Sequence, residues 1–246
     1  MRKSYRELAE EIKTDGERLK LIAALGSSED LAYHYALICE DWAAGGKLLL
    51  ENSFDRHGEA GIVFLLERLR AFGTASKTDA SATAGTATDT AYLAAKILSQ
   101  LRHRDFYAAR AKELAALLTA RWEISDIALR RKQIIALGWI GSEAEVEVLI
   151  DSMESDSDAL CRAWAAAALM QLSFHGVAAD VLRERTKNAF AAAIQKEGDL
   201  NAAGIMIEAA QTLFGKKWIS AAAAEAAESE SIEKARKSAL RFLGKA

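Results

Sequence analysis

The chain has 246 residues, of which 51% are apolar and 7% aromatic, and it contains no proline. Its 35 acids and 32 bases leave a formal net charge of −3, with the two signs interspersed, so net charge forecasts no nucleic-acid partner. An Ala- and Leu-rich, proline-free composition has few strand signals and many helix formers, which predicts an all-α protein. The start, MRKSYRELAEEIK, is charged throughout, so neither signal peptide nor anchor is expected there. Glu, Lys or Arg interrupts every apolar run, and no membrane span is expected. Cys39 and Cys161 lie far apart without a Cys-x-x-Cys, which reads as two reduced thiols in a cytoplasmic protein.

In chain order, Ser4-x-x-Glu7 and Thr14-x-x-Glu17 are capping-box patterns that open a first helix to about Lys13 and a second ending near Gly26. Ser27-x-x-Asp30 is expected to cap a third helix, which ends at Gly45-Gly46. Residues 47–57 predict a short helical turn and a loop. A further helix runs from Glu59 to about Phe72, with Ile62, Leu65, Leu66 and Leu69 on one stripe. Residues 73–90 are dominated by Ala, Ser and Thr with no large apolar side chain, and predict a flexible insertion. Tyr92 to Leu101 and Phe106 to Trp122 form the next antiparallel pair.

The stretch from Asp126 to Leu172 then says nearly the same thing twice. Asp158 repeats Asp126 thirty-two positions on, and Arg162, Ala168 and Leu169 repeat Arg130, Ala136 and Leu137. Ser142-x-x-Glu145 caps the helix between the two copies. Arg18 with Ala24-Leu25-Gly26, and later Arg236 with Ala239-Leu240, are fainter echoes, with Gly26, Gly138 and Gly141 expected to close their helices. The helix after Leu172 is longer than its counterparts and breaks the rhythm. Self-similarity at this period is the mark of a helical solenoid.

The Asp-x-x-x-Arg opening, the Ala-Leu core and the intervening Leu149-Ile150 helix resemble HEAT repeats of the short, phycobilisome-lyase-like kind. That resemblance implies a right-handed α-α superhelix, HEAT- or ARM-like, of about six to seven antiparallel helix pairs. The expectation is one repeat domain over 1–246. It also implies a ladder in which Asp126, Arg130, Asp158 and Arg162 link neighbouring units. The acids stand where helix-start amides are free, and the arginines lie one turn on.

No motif carries chemistry. His34, His57, His103 and His175 never share a helix at i, i+3 or i+4, so no metal pair and no cofactor are expected. The His-Glu dipeptides of HEAT-type di-iron hydroxylases are absent. There is no Gly-rich phosphate loop and no Gly-x-Ser-x-Gly. Helical spacing puts Arg131, Ile135 and Trp139 on one outward row. With Trp164 and Gln171 of the next copy they form the expected partner-binding patch, although indoles also fill gaps between repeats. The leading expectation is a non-enzymatic scaffold that binds a protein partner. The alternatives are a bilin lyase or its accessory and a HEAT-like DNA glycosylase, for which Arg130-Arg131-Lys132 and Arg102-His103-Arg104 are the nearest basic clusters.

Overall fold

The computed structural model describes residues 3–74, 105–119 and 127–244. The insertion expected at 73–90 falls, from residue 75 on, outside the described residues, as do Trp122 and Asp126. Among the described residues all regular structure is helical. The chain divides into two compact units, 1–110 and 111–246, taken in turn.

Unit 1 opens with α1 (Tyr5–Glu11) and α2 (Asp15–Gly26), each started by a complete capping box from Ser4/Glu7 and Thr14/Glu17. The third helix, α3 (Leu31–Ala43), is capped by Asp30 alone, whose carboxylate accepts from the Tyr33 amide at 3.0 Å. The capping box expected from Ser27 is not made, because Ser27 already ends α2 and turns its hydroxyl back to the Ala23 carbonyl at 3.0 Å.

The blurred stretch after α3 is a 3-10 segment, Leu50–His57, and not a loop. Its Leu50 and Phe54 are buried with Leu37, Ile38, Ile62, Leu65 and Leu66, the last three from α4 (Gly58–Thr74). Buried Asp41 organises the turn between, with one oxygen accepting from both Tyr5 Oη (2.9 Å) and the Leu48 amide (3.0 Å).

Unit 2 takes in α5 (Asp105–Thr119) from Ala111 on, and then α6 (Ile127–Ile140). A 3-10 turn at Glu143–Glu145, boxed by Ser142 and Glu145, leads into α7 (Val146–Ser155). The rest is α8 (Ala159–Leu172), α9 (Ala179–Lys196), α10 (Leu200–Leu213), α11 (Ala221–Glu225) and α12 (Ser229–Leu243). Helix α8 packs between α6 and α10 in one layer, backed by α7, while α9 packs on α7 and α10 and α12 closes over α9 and α10. This is a helical solenoid in which each helix pair leans on its sequence neighbours.

The contact between α6 and α8 is close because its residues are small. Ala163, Ala165, Ala166 and Ala168 are all buried. A Cβ on Gly138 would lie 2.7 Å from the Ala168 Cα, and one on Gly26 would lie 2.8 Å from the Ser53 carbonyl oxygen. Both glycines sit inside their helices, so they do not close them as expected. Their missing side chains let the next element approach. Gly138→Ala should therefore push α8 off α6 and cost roughly 1–3 kcal/mol, read as a lower urea midpoint. An unchanged midpoint would mean that the helix spacing relaxes freely.

Candidate functional site

The ladder in unit 2 is built from the turns that precede α8 and α10. Each turn reads acid-x-Asp: Asp156-Ser157-Asp158 and Glu197-Gly198-Asp199. The second acid caps its helix, Asp158 accepting from the Cys161 amide at 2.8 Å and Asp199 from the Ala202 amide at 2.9 Å. The first acid accepts from the amide of the second, at 2.8 and 2.9 Å respectively, which turns its carboxylate toward the preceding repeat.

There it meets an arginine. Arg130 grips Asp156 through Nε and Nη2 at 2.8 and 2.9 Å, and Arg162 grips Glu197 in the same way at 2.8 and 2.9 Å. Because each arginine near the start of one helix reaches the turn just before the next, α6, α8 and α10 begin at the same end and run the same way. Arg162 also donates to the Asp156 carbonyl at 2.7 Å. Arg236 on α12 donates to the carbonyls of Ile194 and Glu197, so a fourth helix is tied to the same turn.

Arg131, expected in the outward row, makes the tightest of these contacts. Its Nε and Nη2 donate to Asp158 at 2.9 and 2.8 Å. That hydrogen bond holds the Asp158 carboxyl well below the usual carboxylate range against the opposing effect of burial, with the Cys161 amide adding to it. Burial and neighbouring Asp158 push the Cys161 thiol up to about 12, so the thiol is protonated and unreactive at neutral pH. Glu197 is nearly inaccessible. Burial alone would raise its pKa, but the bonds from Arg162 and the Asp199 amide outweigh that and lower it.

The outward surface of the same three helices is a second feature. On α6, Lys132, Ile135 and Trp139 are half-buried, and on α8 Trp164 is exposed while Ala167 and Gln171 are half-buried. Asp199 follows Asp158 by forty-one positions, since α9 has 18 residues where α7 has 10. That shift maps Trp164, Ala167 and Gln171 onto Ile205, Glu208 and Thr212 of α10, again half-buried or exposed. The four expected residues Ile135, Trp139, Trp164 and Gln171 thus share one continuous face, and Arg131 is held in the ladder at its edge. Phe174, just past the end of α8, is 63% exposed; the sequence reading passed over it because it lies beyond the repeated core.

Unit 1 holds a pair that spacing also hid. His34 on α3 and His57 at the end of the 3-10 segment lie 2.8 Å apart, Nδ1 to Nε2, and His34 Nε2 is 3.0 Å from the Leu50 carbonyl oxygen. A carbonyl only accepts, so His34 carries its proton on Nε2, and His57 Nε2 must then donate to the bare His34 Nδ1. Their positions are 23 apart with no helix in common, which no periodicity test detects. Among the described residues no group of three or more His, Cys, Asp or Glu side chains is placed to hold a metal, and no helix is long and apolar enough to cross a membrane.

Helices that run side by side, tied turn by turn through an arginine–acid ladder, define a helical-repeat scaffold. Residues 81–170 match the family model of HEAT repeats, and the chain is a HEAT-repeat protein. No curated protein and no solved structure matches it.

Proposed function

We propose that this protein is a non-enzymatic scaffold that holds a protein partner on the face formed by α6, α8 and α10. The observation that supports this reading is the run of apolar side chains at equivalent positions of three adjacent helices: Ile135 and Trp139, Trp164, and Ile205. Core demand does not account for it, since the same helices already bury a complete alternative set that includes Ile134, Leu137, Leu169, Met206 and Ile207. Trp is among the side chains that most often dominate binding energy, because it joins a large contact area to a polar edge.

Repeats of this kind commonly mediate protein interaction. The arginines nearest the face favour a protein over a nucleic acid as partner. Arg130 and Arg131 each spend a two-pronged edge on an aspartate, which neutralises the charge a phosphate would need.

Capture of partners by the tagged full chain in its native host, compared with Trp164→Glu, tests the proposal. Trp164 lies at the surface of α8, so the variant should keep its helical content and melting temperature while losing most of the captured protein. Equal capture by both proteins would sink the reading.

A further inference from the structure

The geometry points to an amphipathic α-helix of the partner as the element that occupies this face, laid along α8 with its apolar side on Trp164 and Phe174. The inference rests on the scaffold reading above and adds the form of the ligand. The row on α8 runs Trp164, Ala167, Gln171, with Phe174 following at the helix end, and it carries no charge. Trp164 is 36% and Phe174 63% exposed, ten residues or roughly 15 Å apart along the helix axis. That is about three turns of a facing helix, whose residues at i, i+3 or i+4, and i+7 would reach one aromatic and then the other.

Strand addition has no foothold here, because the α8 backbone is closed by its own helical hydrogen bonds and Ser173, Phe174 and His175 return their amides to Met170, Gln171 and Leu172. The small Ala167 between the aromatics leaves a shallow seat for a large aliphatic side chain. Charge then fixes how the ligand lies. Lys132 stands on the α6 side of the row and Glu208 on the α10 side, at equivalent repeat positions or one turn apart. The occupant therefore carries acids on the flank over α6 and bases on the flank over α10, and only one direction along α8 satisfies both.

The test uses the full chain and a fluorescein-labelled designed helix of about 20 residues, with leucines on one side, glutamates on one flank and lysines on the other. A second peptide of identical composition has its leucine stripe scrambled. The designed helix should bind at least about tenfold more tightly than the scrambled one, and Trp164→Ala with Phe174→Ala should remove at least about tenfold of that affinity. Phe174→Ala alone, at a site outside the packed core, reports on the same contact should the double variant unfold. Equal binding of the two peptides, or binding that neither substitution alters, overturns the helix as occupant. If native partners are still lost with Trp164→Glu while the designed helix fails to bind, the scaffold reading stands and the helical ligand falls. A dimer of the chain itself that the double variant dissociates, seen by sedimentation, would give the face to a second copy and overturn the inference equally.

Discussion

Between pH 7 and pH 5, residues 31–66 should lose protection against amide exchange while residues 127–243 keep theirs, once rates are corrected for the intrinsic effect of pH. The cause is the His34–His57 pair. Burial is the main reason that His34 is lowered to about 4, with the charge of His57 adding to it and the Leu50 carbonyl opposing. Burial also lowers His57, against the pull of Asp55. A histidine lowered on folding binds fewer protons than it does in the unfolded chain. The unfolded state therefore gains as pH falls below the ordinary value of about 6.5. For His34 this amounts to about 2 kcal/mol by pH 5 and about 3 kcal/mol by pH 4.

The first proton can go to His57 Nδ1 without breaking the chain of bonds. A second, on His34, sets two N–H groups against each other. In unit 2 the groups with depressed pKa are carboxylates, Asp158 and Glu197. Their contribution persists until the pH falls through and below the usual carboxylate range, which keeps the two units distinguishable above pH 5. His34→Gln retains a donor for Leu50 and titrates nowhere in this window, so it should flatten most of the pH dependence. Protection of residues 31–66 that is the same at pH 7 and pH 5 would show that the pair relaxes and hydrates instead.

The sequence carried the repeat because the residues that make it are local: Asp158 caps within three residues, and the Ala-Leu core recurs every thirty-two. The partners of the ladder were less legible. Arg130 reaches 26 residues ahead to Asp156, but Arg162 reaches 35 ahead to Glu197, since the longer α9 intervenes and hides the second interval from any fixed-period comparison. Arg131 read as outward because helical spacing describes only its Cα direction. A long side chain at the rim of a helix can still fold back onto an acid of the neighbouring unit. Gly26 and Gly138 followed apolar runs and so looked like helix ends, when their role is close packing that depends on a partner far along the chain. The outward row needed only the 3.6-residue period and was legible for that reason, apart from Phe174.

Arg162→Ala should lower the unfolding free energy by roughly 3 kcal/mol at pH 7. Glu197 is 1% exposed at its side chain and Arg162 23%. Removing the guanidinium therefore leaves a buried carboxylate with only the Asp199 amide to solvate it, among the contacts described. That residual acid dominates the cost, and it makes the effect depend on pH in a way that loss of packing would not. With Arg162 present, Glu197 is lowered and its stabilisation is lost on acidification. Without it, burial is left to raise Glu197 above its unfolded value, so protonation near pH 5 relieves the variant. The destabilisation should therefore shrink as pH falls from 7 toward 4.5, measured by urea denaturation at each pH. Replacing the acid as well, with Arg162→Ala and Glu197→Met together, should recover most of the loss, because neither charge is then buried alone. A deficit that stays constant with pH and is not reduced in the double variant would mean that the Arg162 stem, and not its charge, holds α8 to α10.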